Sequence, residues 1–416
     1  MKHSLEIMAP AGSFECLRAA VQGGADSVYF GVGQLNMRSR SAANFSPSDL
    51  PEVVRICHEA GVRAYLTLNI ILYDGDLAPM REAVDSAVAA GVDAIIASDI
   101  AVLDYARSRG MEIHASTQLN ISNTEALRFW SRWADVAVLA RELTLDQVRD
   151  IRDAIDSENI CGPSGRKVRI EMFAHGALCM AVSGKCYLSL HACGSSANRG
   201  ACMQVCRRAY GVTDLETGYG LEVDNEYIMS PKDLCTIEFM DKMAECGVRV
   251  FKIEGRARSA EYVLRCTRCY RQAADAVESG AYTPSLAASL RESLGEVFNR
   301  GFWDGYYQGA RLGEWSSVYG SQATRRKVYL GKVTNWFDRI GVAEILVEAA
   351  PLHAGDDIMI IGPTSGVTEL TVGDMRLDFT PVPEAPKGSR CSVSVPPEPG
   401  REHVRRGDKV FLWKEV

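Results

Sequence analysis

An α/β fold, a TIM-like (β/α)8 barrel with a cysteine-rich insertion after its seventh strand and a small C-terminal β-barrel domain, is what the sequence predicts. Three observations lead there. Short apolar strand patterns and amphipathic helix patterns trade places along the first 300 residues. The phrases GGADSVYFG, AGVRAYLTLN, AGVDAIIAS and CGVRVFKIEG each close a helix at Gly and run straight into an apolar strand, as a left-handed helix cap requires. No G-x-G-x-x-G follows the first strand, so the competing doubly wound sheet lacks its phosphate-binding fingerprint, and a count of eight strands favours closure.

Taken in order, strands are expected at residues 5–8, 27–30, 63–68, 94–97, 112–115, 136–139, 168–173 and 248–253. Helices are expected at 13–22, 47–60, 77–90, 101–108, 123–132 and 145–154, and two more, at 259–279 and 284–299, finish or flank the barrel. The catalytic barrel therefore covers 1–300 with an insertion over 174–230, followed by a linker at 301–327. From 328 to 416 the runs VYLGKV, IGVAEILV, DDIMIIG, SRCSVSV and GDKVFLW alternate between Gly, Pro and Asp, the pattern of a small β-barrel.

With 416 residues, there is ample chain for a large domain and a smaller one, and a net charge of -7 advertises no global nucleic-acid field. No window approaches the run of about 20 apolar residues that spans a bilayer, and the N-terminus carries no leader pattern, so a cytoplasmic protein without membrane contact is expected. In that compartment the 13 cysteines are free for metals or catalysis rather than disulfides. Cys16, Cys57, Cys161, Cys246 and Cys391 are isolated, and Cys266 and Cys269 lie within a helical pattern; all seven read as packing residues.

Chemistry in such barrels sits on the loops after the strands. Polar residues there are Asn36, Arg38 and Arg40; Asn69; Ser98 and Asp99; Ser116 and Gln118; Arg141 and Glu142; His175; and Glu254 and Arg256. The insertion opens on the same face and contains Cys179-x6-Cys186-x15-Cys202-x3-Cys206, with Cys193 between. Four thiolates suit a tetrahedral zinc or an iron–sulfur cluster, and spacing alone leaves both open, along with unliganded cysteines. His175 beside them is a candidate base or a hydrogen-bond donor to a ligand. His114, on a strand, reads as a core histidine.

The run Glu171-x-Phe173-x-x-Gly176-Ala177-Leu178-Cys179-x4-Gly184-x-Cys186-x-Leu188-Ser189 resembles the signature of peptidase family U-32 at every fixed position. Lys252-Ile253-Glu254-Gly255-Arg256 with Ser259 resembles its second block, and APAGS with Asn36-Met37-Arg38 its first. The resemblance implies either collagenase-like proteolysis or, with better support, oxygen-independent hydroxylation. The targets implied are a tRNA wobble uridine (to 5-hydroxyuridine), an rRNA cytidine or a quinone precursor. It also implies a 4Fe-4S cluster and prephenate as hydroxyl donor. Cys179, Cys186, Cys202 and Cys206 match the cluster positions of the RNA-acting branch; Cys235 is a reserve ligand and Cys193 a bystander. The C-terminal β domain agrees with the RNA-acting branch, and the proteolytic reading lacks GxSxG and HExxH.

From this follow the remaining expectations. Prephenate carries two carboxylates, for which Arg38, Arg40, Arg199, Arg256 and Arg258 are candidate partners. Arg38, His175, Glu254 and Arg256 are the candidate catalytic residues, and Asn36, Arg40, Asn69, Gln118, Arg199 and Arg258 the candidate substrate-binding ones. RNA contact is expected at Arg207-Arg208, at Arg325-Arg326-Lys327 and, more weakly, at Arg401, Arg405, Arg406 and Lys409. The sequence leaves the oligomeric state open.

Overall fold

The computed structural model describes residues 3–40, 42–221, 229–309, 313–318, 320–396 and 402–416. Eight strands form the barrel: Glu6–Ala11, Ser27–Phe30, Arg63–Leu68, Ala94–Ala97, Glu112–Ala115, Val136–Val138, Arg169–Gly176 and Val248–Ile253. Each pairs in parallel with the next, and the eighth pairs with both the seventh and the first, so the barrel is closed as expected. The turns named above carry the left-handed glycines Gly24, Gly61, Gly91 and Gly247, with φ of 84°, 71°, 80° and 99°. A side chain at those angles is strained, which is why each helix-to-strand turn ends in Gly.

Side chains alternate along each strand, and the two faces differ in chemistry. Ile7, Val28, Phe30, Ile95, Ile113 and Phe251 face outward into one large apolar core with the helices. Met8, Tyr29, Tyr65, Ile96, Val136 and Val250 cluster separately inside. Interleaved with these last residues are charges. Glu6 accepts from Ser27 and Tyr65 and pairs with Arg169 at 2.7 Å, while Arg63 and Arg169 both reach Glu112 at 3.0 Å. One storey higher, Glu171 pairs with Lys252 at 2.8 Å and with Nδ1 of the fully buried His114 at 2.6 Å.

Two segments depart from expectation. The seventh strand runs past residue 173 to Gly176, and the short strand Asp233–Cys235 pairs antiparallel with its end. Phe302–Trp303, within the expected linker, pairs with Asp233 and Leu234, so part of that linker belongs to the barrel's sheet.

The C-terminal region begins its first long strand at Arg325–Phe337 and forms an antiparallel sheet of eight strands around its own core, including Leu330, Ile345, Ile358, Val393 and Leu412. This is the small C-terminal β domain that the alternating runs predict; among the described residues its sheet has Gly366–Thr371 and Thr380–Pro381 as its outermost strands. It docks on the barrel's outer helices: Gln22 bridges Ser365 O and Val367 N, and Lys327 and Glu369 pair with Glu261 and Arg265. Lys327 is therefore engaged at this junction, and Arg325 is paired to Asp357 within the C-terminal sheet. Arg401 lies outside the described residues.

Candidate active site

The barrel's upper mouth is built on close backbone approaches. A Cβ on Gly12 would lie 2.0 Å from the Arg256 carbonyl oxygen, and one on Gly176 2.5 Å from that of Glu254. These contacts press the loops after the first, seventh and eighth strands together. The insertion is seated the same way: a Cβ on Gly200 would lie 2.3 Å from Asn36 O, and one on Gly184 2.6 Å from Gln118 Cγ. Arg199 fastens it further, donating to Ile71 O and to both carboxylate oxygens of Asp76 while its guanidinium lies 4.1 Å from the Tyr73 ring centre.

Glu254 is the centre of the mouth. Arg38 donates to its Oε1 from Nη2 at 2.7 Å and from Nε at 3.2 Å, and the Tyr29 hydroxyl stands 3.2 Å from Oε2. Burial would raise the carboxyl's pKa, but Arg38, Arg141 and Arg256 outweigh it and hold the group at about 2. Glu254 is therefore an ionised acceptor near neutrality and not a proton donor. Arg256 is buried, with Nη1 3.0 Å from Asn36 Oδ1 and 2.9 Å from Thr67 Oγ1. Burial lowers its pKa to about 10, opposed by Tyr29 and Glu254.

The cysteines come together above this pair. Burial raises the Cys206 thiol; Arg207 lowers it, and the charges of Cys179, Cys202 and Cys186 raise it again, so all four lie within electrostatic reach. The charges of Cys179 and Cys202 also act on Arg38, behind the larger effects of Glu254 and burial, which ties the cysteines to the mouth. Cys186 N–H donates to Asn198, and Arg207 binds Leu178 O at 2.6 Å, bracing the loop next to Cys179. Among the described residues no three of these sulfurs lie within 4.8 Å of one another. Around a tetrahedral zinc with Zn–S of about 2.3 Å, sulfurs sit about 3.8 Å apart. The all-thiol donor set suits a 4Fe-4S cubane, which binds each sulfur through a different iron, by its chemistry.

Several expected site residues are placed elsewhere or otherwise engaged. His175 is buried against Tyr262, Tyr270 and Phe302, its Nδ1 lacks a partner, and burial followed by the charge of Arg258 lowers its pKa to about 3. It packs among aromatics of the outer layer and is not a base at the mouth. Arg199 is held by Asp76 and is not a free carboxylate partner, whereas Arg258 stacks 3.6 Å above the Phe298 ring, a contact that leaves its N–H donors available. Cys235 sits in the apolar core, its thiol pushed up to about 11 by burial, which removes it as a reserve ligand. Cys193 is exposed.

The polar amides hold loops. Asn36 bonds Gly33 O and Arg38 N, Asn69 accepts from Met37 N, and Gln118 accepts from Ser116 Oγ. Arg40 is exposed at the rim, with only its backbone bonded, to Gly200 O. Arg141, not among the selected candidates, is the residue that sequence reasoning undervalued. It lies 3.7 Å over the Phe173 ring, donates to Ala177 O and leaves a buried Nε without a partner beside Glu254. Its only sequence signal was its position just after the sixth strand.

Residues 12–317 match the family model described as Peptidase family U32. The chain belongs to peptidase family U32. Within the family it is 57% identical over 411 residues to a protein of Porphyromonas gingivalis named "Collagenase", covering 99% of this chain and 98% of that one. It is 32% identical over 366 residues to the "tRNA hydroxylation protein P1" of Bacillus subtilis, covering 86% and 83%. It is 38% identical over 323 residues to the "23S rRNA 5-hydroxycytidine C2501 synthase" of Escherichia coli, covering 75% of this chain and 46% of that protein. In this U32 member no helix among the described residues is long and apolar enough to cross a membrane.

Proposed function

We propose that this chain is an RNA hydroxylase that forms 5-hydroxyuridine in tRNA, with Cys179, Cys186, Cys202 and Cys206 holding a 4Fe-4S cluster. The observation that carries the reading is the four-thiol set above the ionised Glu254–Arg38 pair at the mouth of a closed barrel. Replacing a base C–H by C–OH withdraws two electrons. The two electrons must end on the hydroxyl donor, which leaves reduced as it gives up its hydroxyl; a cluster on these thiols would supply one-electron redox chemistry for that exchange, whereas zinc has none. The names of the B. subtilis and E. coli relatives support an RNA substrate, tRNA or rRNA.

The chain's own residues would bind and orient. Glu254, fixed by Arg38 and Tyr29, offers a carboxylate acceptor to an N–H of an extruded base. Arg38, about a quarter exposed, and Arg141 with its unsatisfied Nε offer cationic donors to a dicarboxylic hydroxyl donor such as prephenate. Arg256 acts indirectly, holding Asn36 and Thr67 so that Arg38 keeps its direction. The collagenase name of the P. gingivalis relative favours a second reading, proteolysis. Burial of His175 behind three rings removes the base it would need there.

Anaerobic purification with iron and sulfide analysis, together with mass spectrometry of nucleosides from cells lacking the gene, tests the proposal. Iron and sulfide near four each per chain and loss of 5-hydroxyuridine are expected. Stoichiometric zinc, or an unchanged content of hydroxylated tRNA and rRNA nucleosides, sinks it. Loss of 5-hydroxycytidine alone moves the substrate to rRNA.

A further inference from the structure

A cleft of ≈ 510 Å³ opens beside the cysteines, and its lining includes Cys202, Ser230 and the guanidinium groups of Arg40, Arg207, Arg208 and Arg300. No acidic side chain among the described residues lines it, although the chain as a whole carries a net charge of -7. The four arginines divide into two pairs. Arg207 is fixed by Ser230 Oγ, Pro231 O and Leu178 O, and Arg300 by Asp233 at 3.2 Å, so their charges form a rigid floor. Arg40 and Arg208 are exposed, and their side chains make no ion pair among the described residues.

Long cationic side chains left unpaired around a concavity are suited to an anion too large for one of them to neutralise. The cavity is far larger than one phosphate group, and its inclusion of Cys202 runs it alongside the proposed cluster. A nucleotide extruded into the barrel mouth would keep its neighbours outside, and their phosphates require cations next to the mouth. Fixed charges on the floor with exposed cations at the rim meet that geometry.

We propose that this cleft is the phosphate-backbone track of the enzyme, in which Arg40 and Arg208 each contact a phosphate flanking the extruded nucleotide. The proposal rests on the RNA-hydroxylase reading. It makes Arg40 and Arg208 binding residues, without any part in the chemical step.

The test is fluorescence anisotropy of a labelled tRNA transcript against the full-length, cluster-loaded protein and its R40Q/R208Q variant, at several salt concentrations. Both residues are exposed, so the variant should keep its fold and its iron content. For two lost phosphate contacts, log K against log salt should flatten by about 1.4 to 1.8, and Kd should rise about tenfold or more at low salt. R109Q, at a surface arginine paired with Asp85, should change neither. An unchanged slope and Kd in R40Q/R208Q would overturn the proposal. So would displacement of the RNA by succinate combined with an unchanged slope, which would assign the cleft to a small dicarboxylate. An arginine-dependent slope together with unaltered nucleosides in cells lacking the gene would support the track and overturn hydroxylation instead.

Discussion

Glu171, fully buried, and Glu254, largely buried, are carboxylates of the same barrel held ionised at about 2 by cations on neighbouring strands and loops, and they differ in what lies above them. Glu171 is enclosed: Lys252 on one side, His114 on the other, and none of the three more than a few per cent exposed. Glu254 faces the mouth, with Arg38 about a quarter exposed, Arg141 incompletely bonded and the cysteines overhead. A closed network stabilises or destabilises the fold as a unit. An open one keeps donors available for a ligand, so the same ion-pair chemistry serves stability below and recognition above.

Removing one partner of the enclosed pair breaks this comparison hardest. Lys252→Met should cost about 3–5 kcal/mol, because Glu171 is left fully buried with only His114 beside it. Urea unfolding of the variant measures it; a cost below about 1 kcal/mol would show that the lower network is not a closed unit. At the mouth, Glu254→Gln should cost far less stability yet reduce hydroxylated nucleoside about 100-fold or more in a complementation assay, as expected for a group aimed at the reacting centre. Equal losses of stability in both variants would erase the distinction.

Cys202→Ser should abolish the cluster, read as iron and sulfide content, while Cys193→Ser should leave it intact. A retained cluster in Cys202→Ser would move the fourth thiolate elsewhere.

The pH dependence separates the two regions more gently. Glu171 is depressed, so its contribution to stability is present above the unfolded carboxyl pKa and lost as pH falls through about 4.5 towards about 2. His114 is raised despite its burial, by Glu112 and Glu171, so its contribution is present below about 6.5 and lost as pH climbs through its folded value. Unfolding free energy should therefore peak between these limits, and His114→Asn should flatten the alkaline side and, because His114 also helps depress Glu171, reduce the acid-side dependence to a smaller extent. An alkaline decline that persists in the variant would assign it to another group. The smallest effect concerns the insertion's fastening: Arg199→Met should cost about 1 to 2 kcal/mol through its lost bonds to Asp76 and Ile71 O.

The sequence determined the barrel, because closure follows from a recurring local rule, an apolar strand and a helix, with a left-handed glycine at Gly24, Gly61, Gly91, Gly110 and Gly247 before five of the strands. It also determined the cysteine set, since Cys179, Cys186, Cys202 and Cys206 fall in one insertion on the active face. The charges within strands, Glu112, His114, Arg169 and Glu171, were equally visible, but which of them would meet depended on register between strands far apart in the chain. Only the tertiary structure decided which arginines were free. Arg199 found Asp76 across the insertion, Arg258 found Phe298, and Arg256 turned inward to Asn36 and Thr67. The side chains of Arg40 and Arg208 were left without an ion pair among the described residues around a cleft, and Arg141 kept a buried Nε unsatisfied. A side chain's type is written locally, whereas its satisfaction depends on neighbours that long-range packing brings to it.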